Sequence, residues 1–158
     1  MSLQTDIIFV KAIKSDASIL AMLPAGDVYN TTIALPDEDL DNAPVPYVIV
    51  TYDGLVNDQS TKDDYEGDTD KVNVGIEIAA RNRQEVGTIA RKIRKAVRHY
   101  FKSSTEADED HAMIPYDYQF SASRVNYDQF KPCHWQTLTY QCDVWNDTTD
   151  DDEEENGD

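Results

Sequence analysis

Cations are scarce in this chain: 14 lysines and arginines stand against 31 aspartates and glutamates, for a formal net charge of −17. A surface so acidic repels phosphate backbones and anionic membranes unless its few cations are gathered on one face. Long apolar runs are missing as well, none approaching the roughly 18 consecutive apolar residues of a membrane span. Asp6 stands just ahead of Ile7-Ile8-Phe9-Val10, and the basic region and small-residue cleavage site of a secretory signal are lacking. The protein is therefore expected to be made and assembled in the cytoplasm, without a membrane partner. Only two cysteines occur, Cys133 and Cys142, nine positions apart on one expected strand. At about 3.3 Å per residue they would lie some 30 Å from each other. A disulfide needs Cα atoms within about 7 Å, so both are read as reduced, small apolar residues.

Histidines are equally few. His99, His111 and His134 fall on a helix, a linker and a strand edge, with no HExxH, GxSxG or phosphate-loop pattern nearby. No nucleophile, base and orienting group come together, so neither catalysis nor a cofactor is expected. Cys133, His134 and Cys142 lack the second CxxC-like pair that would complete a soft metal site. The acidic stretch 58–70 resembles a calcium loop in composition, but taking Gly67 as the invariant glycine puts Lys62 first and Asn73 twelfth. The EF-hand ligand spacing fails there. It leaves open only a weak, assembly-dependent cation contact.

The 158 residues suit a single domain. Two short helices are expected first, one through Ile7, Ile8 and Val10, the next opened by Ser15-Asp16 and ended by Pro24 and Gly26. Residues 30–46, with Pro36, Pro44 and Pro46 among clustered carboxylates, read as an exposed loop. Val45 to Asp53 is apolar or aromatic on both alternating faces, as in a central strand covered on both sides. Its expected partner is Lys71 to Ala80, where Val72, Val74, Ile76 and Ile78 alternate with wetter residues. The intervening loop 54–70, far longer than a hairpin needs, is expected to move in a free subunit and to become ordered in an assembly.

Arg83 to Lys102 carries the clearest helical period, with Val86, Ile89, Ile93, Val97 and Tyr100 on one stripe. Its other face collects Arg91, Lys92, Arg94, Lys95 and Arg98, so residues 81–102 hold 8 of the 14 basic residues. After an acidic linker, Tyr118 to Tyr127 and His134 to Trp145 read as closing strands. The sheet core is expected to comprise Tyr47, Ile49, Val72, Val74, Ile76, Ile78, Leu138 and Tyr140, capped by the helix stripe. The class is α+β, a mainly antiparallel sheet with an amphipathic helix on one face and a short N-terminal helix pair. Residues 1–145 form the domain. Residues 146–158 form an acidic tail with 8 carboxylates and no cation, leaving 23 acids against 14 bases before it.

Leu20 to Val50, reading LAMLPAGDVYNTT, then a proline-bearing loop, then APVPYVIV, resembles the small tail-completion or tail-terminator proteins of long-tailed bacteriophages. The later order is similar too: strand 71–80, a helix with its IARKIRKAV stripe, and closing strands ending in LTYQCDVW. The resemblance implies a virion protein of the tail and neck. It would form a ring, typically of six copies, that caps the tail tube, ends its growth and meets a head-side connector. The long acidic 54–70 loop and the tail depart from the family pattern, at the expected interface rather than in the fold. Expected interface residues are Arg91, Arg94, Lys95 and Arg98 against acids such as Asp63, Asp64, Glu66 and Asp68. Three other readings stand beside it: a neck or head-completion protein, a small metal-dependent hydrolase or nuclease, and an acidic mimic of nucleic acid. Sequence-specific nucleic-acid binding is not expected, because the basic helix lacks interleaved aromatics.

Overall fold

The segment with the cleanest alternation lies at the centre of the sheet. In the computed structural model, which describes residues 2–30, 44–57, 69–130 and 132–145, strand β3 (Thr69–Ala80) runs between β2 (Tyr47–Asn57) and β6 (Cys133–Trp145). Both pairings are antiparallel, with Val48 opposite Ile78, Val50 opposite Ile76, Ile76 opposite Leu138 and Val74 opposite Tyr140. Beyond β6 lie β4 (Asp117–Ala122) and, at its other end, β5 (Asn126–Asp128). The two-residue β1 (Tyr29–Asn30) joins β2 in the one parallel pairing among the described residues. The class is α+β with a mainly antiparallel sheet.

Helices α1 (Thr5–Lys14), α2 (Ala17–Met22) and α3 (Arg83–Ser103) contribute to one core on a single sheet face. The α1/α2 break follows from Asp16, whose carboxylate accepts from the Ser18 N–H at 2.9 Å and caps a new helix start. Leu23, held extended before Pro24, ends α2 as pre-proline sterics demand. Asn82 caps α3 by accepting from the Glu85 N–H at 2.8 Å, which satisfies one of the free amides of the first turn. Phe9, Ile13, Ile89, Ile93 and Val97 meet Val48, Val50, Val72, Val74, Ile76, Ile78, Leu138 and Tyr140 in one buried cluster.

Alternation corrects the expected core at two positions. Since Val48 faces Ile78 across the ladder, Val48 and Val50 point to the helices, and Tyr47 and Ile49 point the other way. Those two form a second, smaller cluster with Ala79 and Cys133, against which Tyr29, Val45 and Trp135 pack. β2 is therefore apolar on both faces without being central. β1 pairs with it only at Ile49 and Val50, so β3 holds the middle of the sheet.

The expected loop 54–70 is shorter than its pattern suggested, because Gly54–Asn57 and Thr69–Asp70 belong to paired strands. A register shift between Tyr52 and Gly54, with Gly54 at φ 139, lets β2 continue past Asp53. A glycine accepts this positive φ at little cost. The expected strand 118–127 is interrupted at Ser123–Val125. There the Ser123 hydroxyl donates to the Arg124 carbonyl and accepts from the Thr137 N–H at 3.0 Å, while the Ser123 N–H still donates to the Thr137 carbonyl at 2.9 Å, so a side-chain bond takes over one of the two ladder bonds. Residues 31–43, 58–68 and the acidic tail lie outside the described residues.

Five aromatic rings lock α1, α3, β4 and β6 together. Phe9 lies 4.9 Å from Tyr140 and 5.3 Å from Phe101, and Phe101 meets Tyr118 at 5.8 Å. Tyr140 also meets Phe120 at 5.1 Å. Burial raises the Tyr140 phenol well above its ordinary pKa, and its hydroxyl has no hydrogen-bond partner among the described residues. A buried hydroxyl left alone costs free energy that phenylalanine would not. Tyr140→Phe is thus expected to leave stability unchanged or raise it by up to about 1–2 kcal/mol in urea unfolding. A loss above about 1 kcal/mol would show that the hydroxyl is satisfied in the native state.

Candidate functional site, the basic face of the long helix

Two stripes divide α3. Val86, Ile89, Ile93, Ala96 and Val97 are buried. Arg91, Arg94, Lys95, Arg98 and Lys102, at steps of three, four and seven, are all exposed and lie on the opposite side. Arg94 is steadied by its guanidinium stacking 4.2 Å over the Phe120 ring of β4. Lys92 leans toward α2 and donates to the Ser18 hydroxyl at 2.9 Å. Between α2 and α3 opens a cleft of about 450 Å³ lined by Ser15, Asp16, Ser18, Lys92, Lys95 and His99. The Ser18 hydroxyl bond holds the Asp16 carboxyl below its ordinary pKa, with Lys92 and Lys95 adding to the effect.

Neutralising partners sit elsewhere. Lys11 pairs with Asp110 at 2.7 Å and Lys14 with Asp27 at 2.8 Å, tying α1 to neighbouring turns. Among the described residues no carboxylate lies within ion-pair distance of Arg91, Arg94, Lys95, Arg98 or Lys102. The acids expected to oppose them, Asp63, Asp64, Glu66 and Asp68, lie outside the described residues, so the structure brings together only the cationic half of the expected interface.

Cys133 and Cys142 are buried and not joined in a disulfide, on opposite faces of β6, one in each apolar cluster. Burial pushes the Cys142 thiol up to about 12, leaving almost no nucleophilic thiolate at neutral pH. His99 and His111 are exposed and His134 is half-buried. Among the described residues no three His, Cys, Asp or Glu side chains gather closely enough to hold a metal, and no helix is long and apolar enough to cross a membrane. At the start of β3, Asp70 is buried and accepts from Asn57 Nδ2 at 2.8 Å. Burial first, then the nearby Asp70 and Asp6 charges, raises the pKa of the Tyr52 phenol.

One surface feature escaped the sequence reading. Trp145 and Tyr116, both exposed, stack at 4.9 Å, and the Tyr116 hydroxyl donates to Thr69 Oγ1 at 3.2 Å. The signal was present, since Trp145 continues the outward series Thr137, Thr139, Gln141 and Asp143, but nothing marked Tyr116 as its neighbour. No known family model matches the chain, and no curated protein matches it.

The cap at Asp16 generates a test with a definite sign. Its folded pKa is depressed from the model-compound value of 3.8, so its contribution is present above that value and fades as pH falls through the lower folded value. Asp16→Ala is expected to destabilise the protein by about 0.5–2 kcal/mol near neutral pH. In chemical unfolding compared across pH, the gap should narrow as pH falls below 3.8. A gap independent of pH would show that the carboxylate is not the capping group.

Proposed function

We propose that this chain is a non-enzymatic structural subunit of a tailed bacteriophage. Six copies form a ring that terminates the tail tube, ends its polymerisation and joins it to the head-side connector. The carrying observation is the row Arg91, Arg94, Lys95, Arg98 and Lys102, exposed and without a described carboxylate partner, on a chain of net charge −17. A closed head-to-tail ring requires two different, complementary patches on each subunit. The basic row supplies one, and the acidic blocks at residues 37–41 and 58–70 supply candidates for the other. The resemblance of LAMLPAGDVYNTT and APVPYVIV to tail-terminator proteins supports the specific assignment to the tail, and the α+β fold with its N-terminal helix pair is compatible with it.

In this reading the sheet supplies rigidity and α3 presents the contact. Individual exposed ion pairs contribute only about 0–1 kcal/mol each, so assembly draws on several at once and weakens as salt shortens the screening length. Replacing Arg94, Lys95 and Arg98 together with glutamate is expected to lower ring stability by about 1–3 kcal/mol while leaving far-UV circular dichroism intact. A folded triple variant that assembles at the wild-type concentration and with the wild-type salt dependence would remove α3 from the interface.

A further inference from the structure

The acidic tail begins close to the cations it would neutralise. Residues 146–158 follow Trp145, the last residue of β6, and carry 8 carboxylates without a cation. The end of α3 is near that point, since Phe101 meets the Tyr118 ring at 5.8 Å and Tyr118 pairs with Cys142. Arg94 stacks on Phe120, whose ladder partner is Tyr140. Tyr140 precedes Trp145 by five residues, roughly 17 Å of strand at about 3.4 Å each. An extended stretch of about six residues covers that distance. The run Asp150 to Glu155 is thus within reach of the row.

We propose that residues 146–158 dock on the α3 row of their own subunit, with their carboxylates against Arg91, Arg94, Lys95, Arg98 and Lys102. Charge complementarity favours this occupant: the row has no described carboxylate within ion-pair distance, while Asp110 and Asp27 are engaged by Lys11 and Lys14. Tethering adds to it, because a short covalent link gives its end an effective concentration in the millimolar range. A free neighbour at micromolar protein has no such advantage and must add further contacts to compete. Any acidic partner of α3 then has to displace the tail. The docking holds whether or not the chain builds a ring.

The test uses the full chain. A variant carrying Asp150→Asn, Asp151→Asn, Asp152→Asn, Glu153→Gln, Glu154→Gln and Glu155→Gln keeps the tail but not its central charge. A fluorescent peptide of residues 146–158 is titrated against it and against wild type at low salt, with anisotropy as the readout. The peptide is expected to bind the neutral-tail variant at least about tenfold more tightly, because its own tail no longer competes. That advantage should vanish when Arg94→Glu, Lys95→Glu and Arg98→Glu are added. Equal affinity for both proteins, or binding to neither, overturns the proposal. So does an advantage that survives the charge reversal, which would place the tail elsewhere. Light scattering on the same samples separates the tail's own helix from a neighbour's: a tenfold difference seen only where wild type is oligomeric overturns docking within one subunit.

Discussion

The contact between the even-numbered side chains of β3 and the apolar stripe of α3 organises the rest of the molecule. Val72, Val74, Ile76 and Ile78 are wholly buried, as are Val86, Ile89, Ile93 and Val97. β3 is paired along both edges, so a one-residue slip against either neighbour would turn its valines and isoleucines toward the opposite face. That penalty fixes the register of β2 and β6 together. It also fixes the rotation of α3. With one stripe committed to the sheet, helical geometry leaves Arg91, Arg94, Lys95, Arg98 and Lys102 no place but the outer surface. The charged face follows from the core, and no local feature of the cations is needed to explain their alignment.

The same geometry separates the molecule's polar and apolar functions. The helix-facing side holds the aromatic knot of Phe9, Phe101, Tyr118, Phe120 and Tyr140, which joins the N-terminal helix to the strands that close the sheet. The other side carries a small apolar cluster around Tyr47, Ile49, Ala79 and Cys133 at one end and the Tyr116–Trp145 stack at the other. Gly75 lies between them on β3, where an added Cβ would stand 2.5 Å from Asp53 Oδ2 and 2.7 Å from Thr51 Oγ1. Those two side chains are joined by a hydrogen bond of 2.8 Å, so glycine makes room for a polar bridge on the sheet surface. The bridge spans the register shift after Tyr52.

Elements governed by a strong period were legible in the sequence. The alternation of 72–78 and 138–144, and the three-to-four spacing of 86–97, identified two strands and the long helix together with their buried faces, although the central place, expected of 45–53, belongs to β3. Ser15-Asp16 marked a helix start through chemistry visible in single residues, whereas the Asn82 cap of α3 emerged only with the structure. Segments apolar on both faces were not legible in the same way. Tyr47-Val48-Ile49-Val50 has no alternation to say which pair meets the helices, and only the ladder to Ile78 and Ile76 decides it. Strand ends were lost where long-range bonds override local pattern, as at Gly54 and at Ser123. The cationic half of the candidate site was visible because helical spacing converts sequence directly into a face. Its acidic complement was visible only as composition, which carries no position.

In the proposed assembly, separate blocks of opposite charge on a single domain close a ring. Its most direct test is the mass of the native protein across a salt series. At low salt the account predicts a closed species of about six times the subunit mass of 17.9 kDa, dissociating as ionic strength rises. A mass of one subunit at every salt and protein concentration, in wild type and in a variant with its tail charges removed, would contradict it.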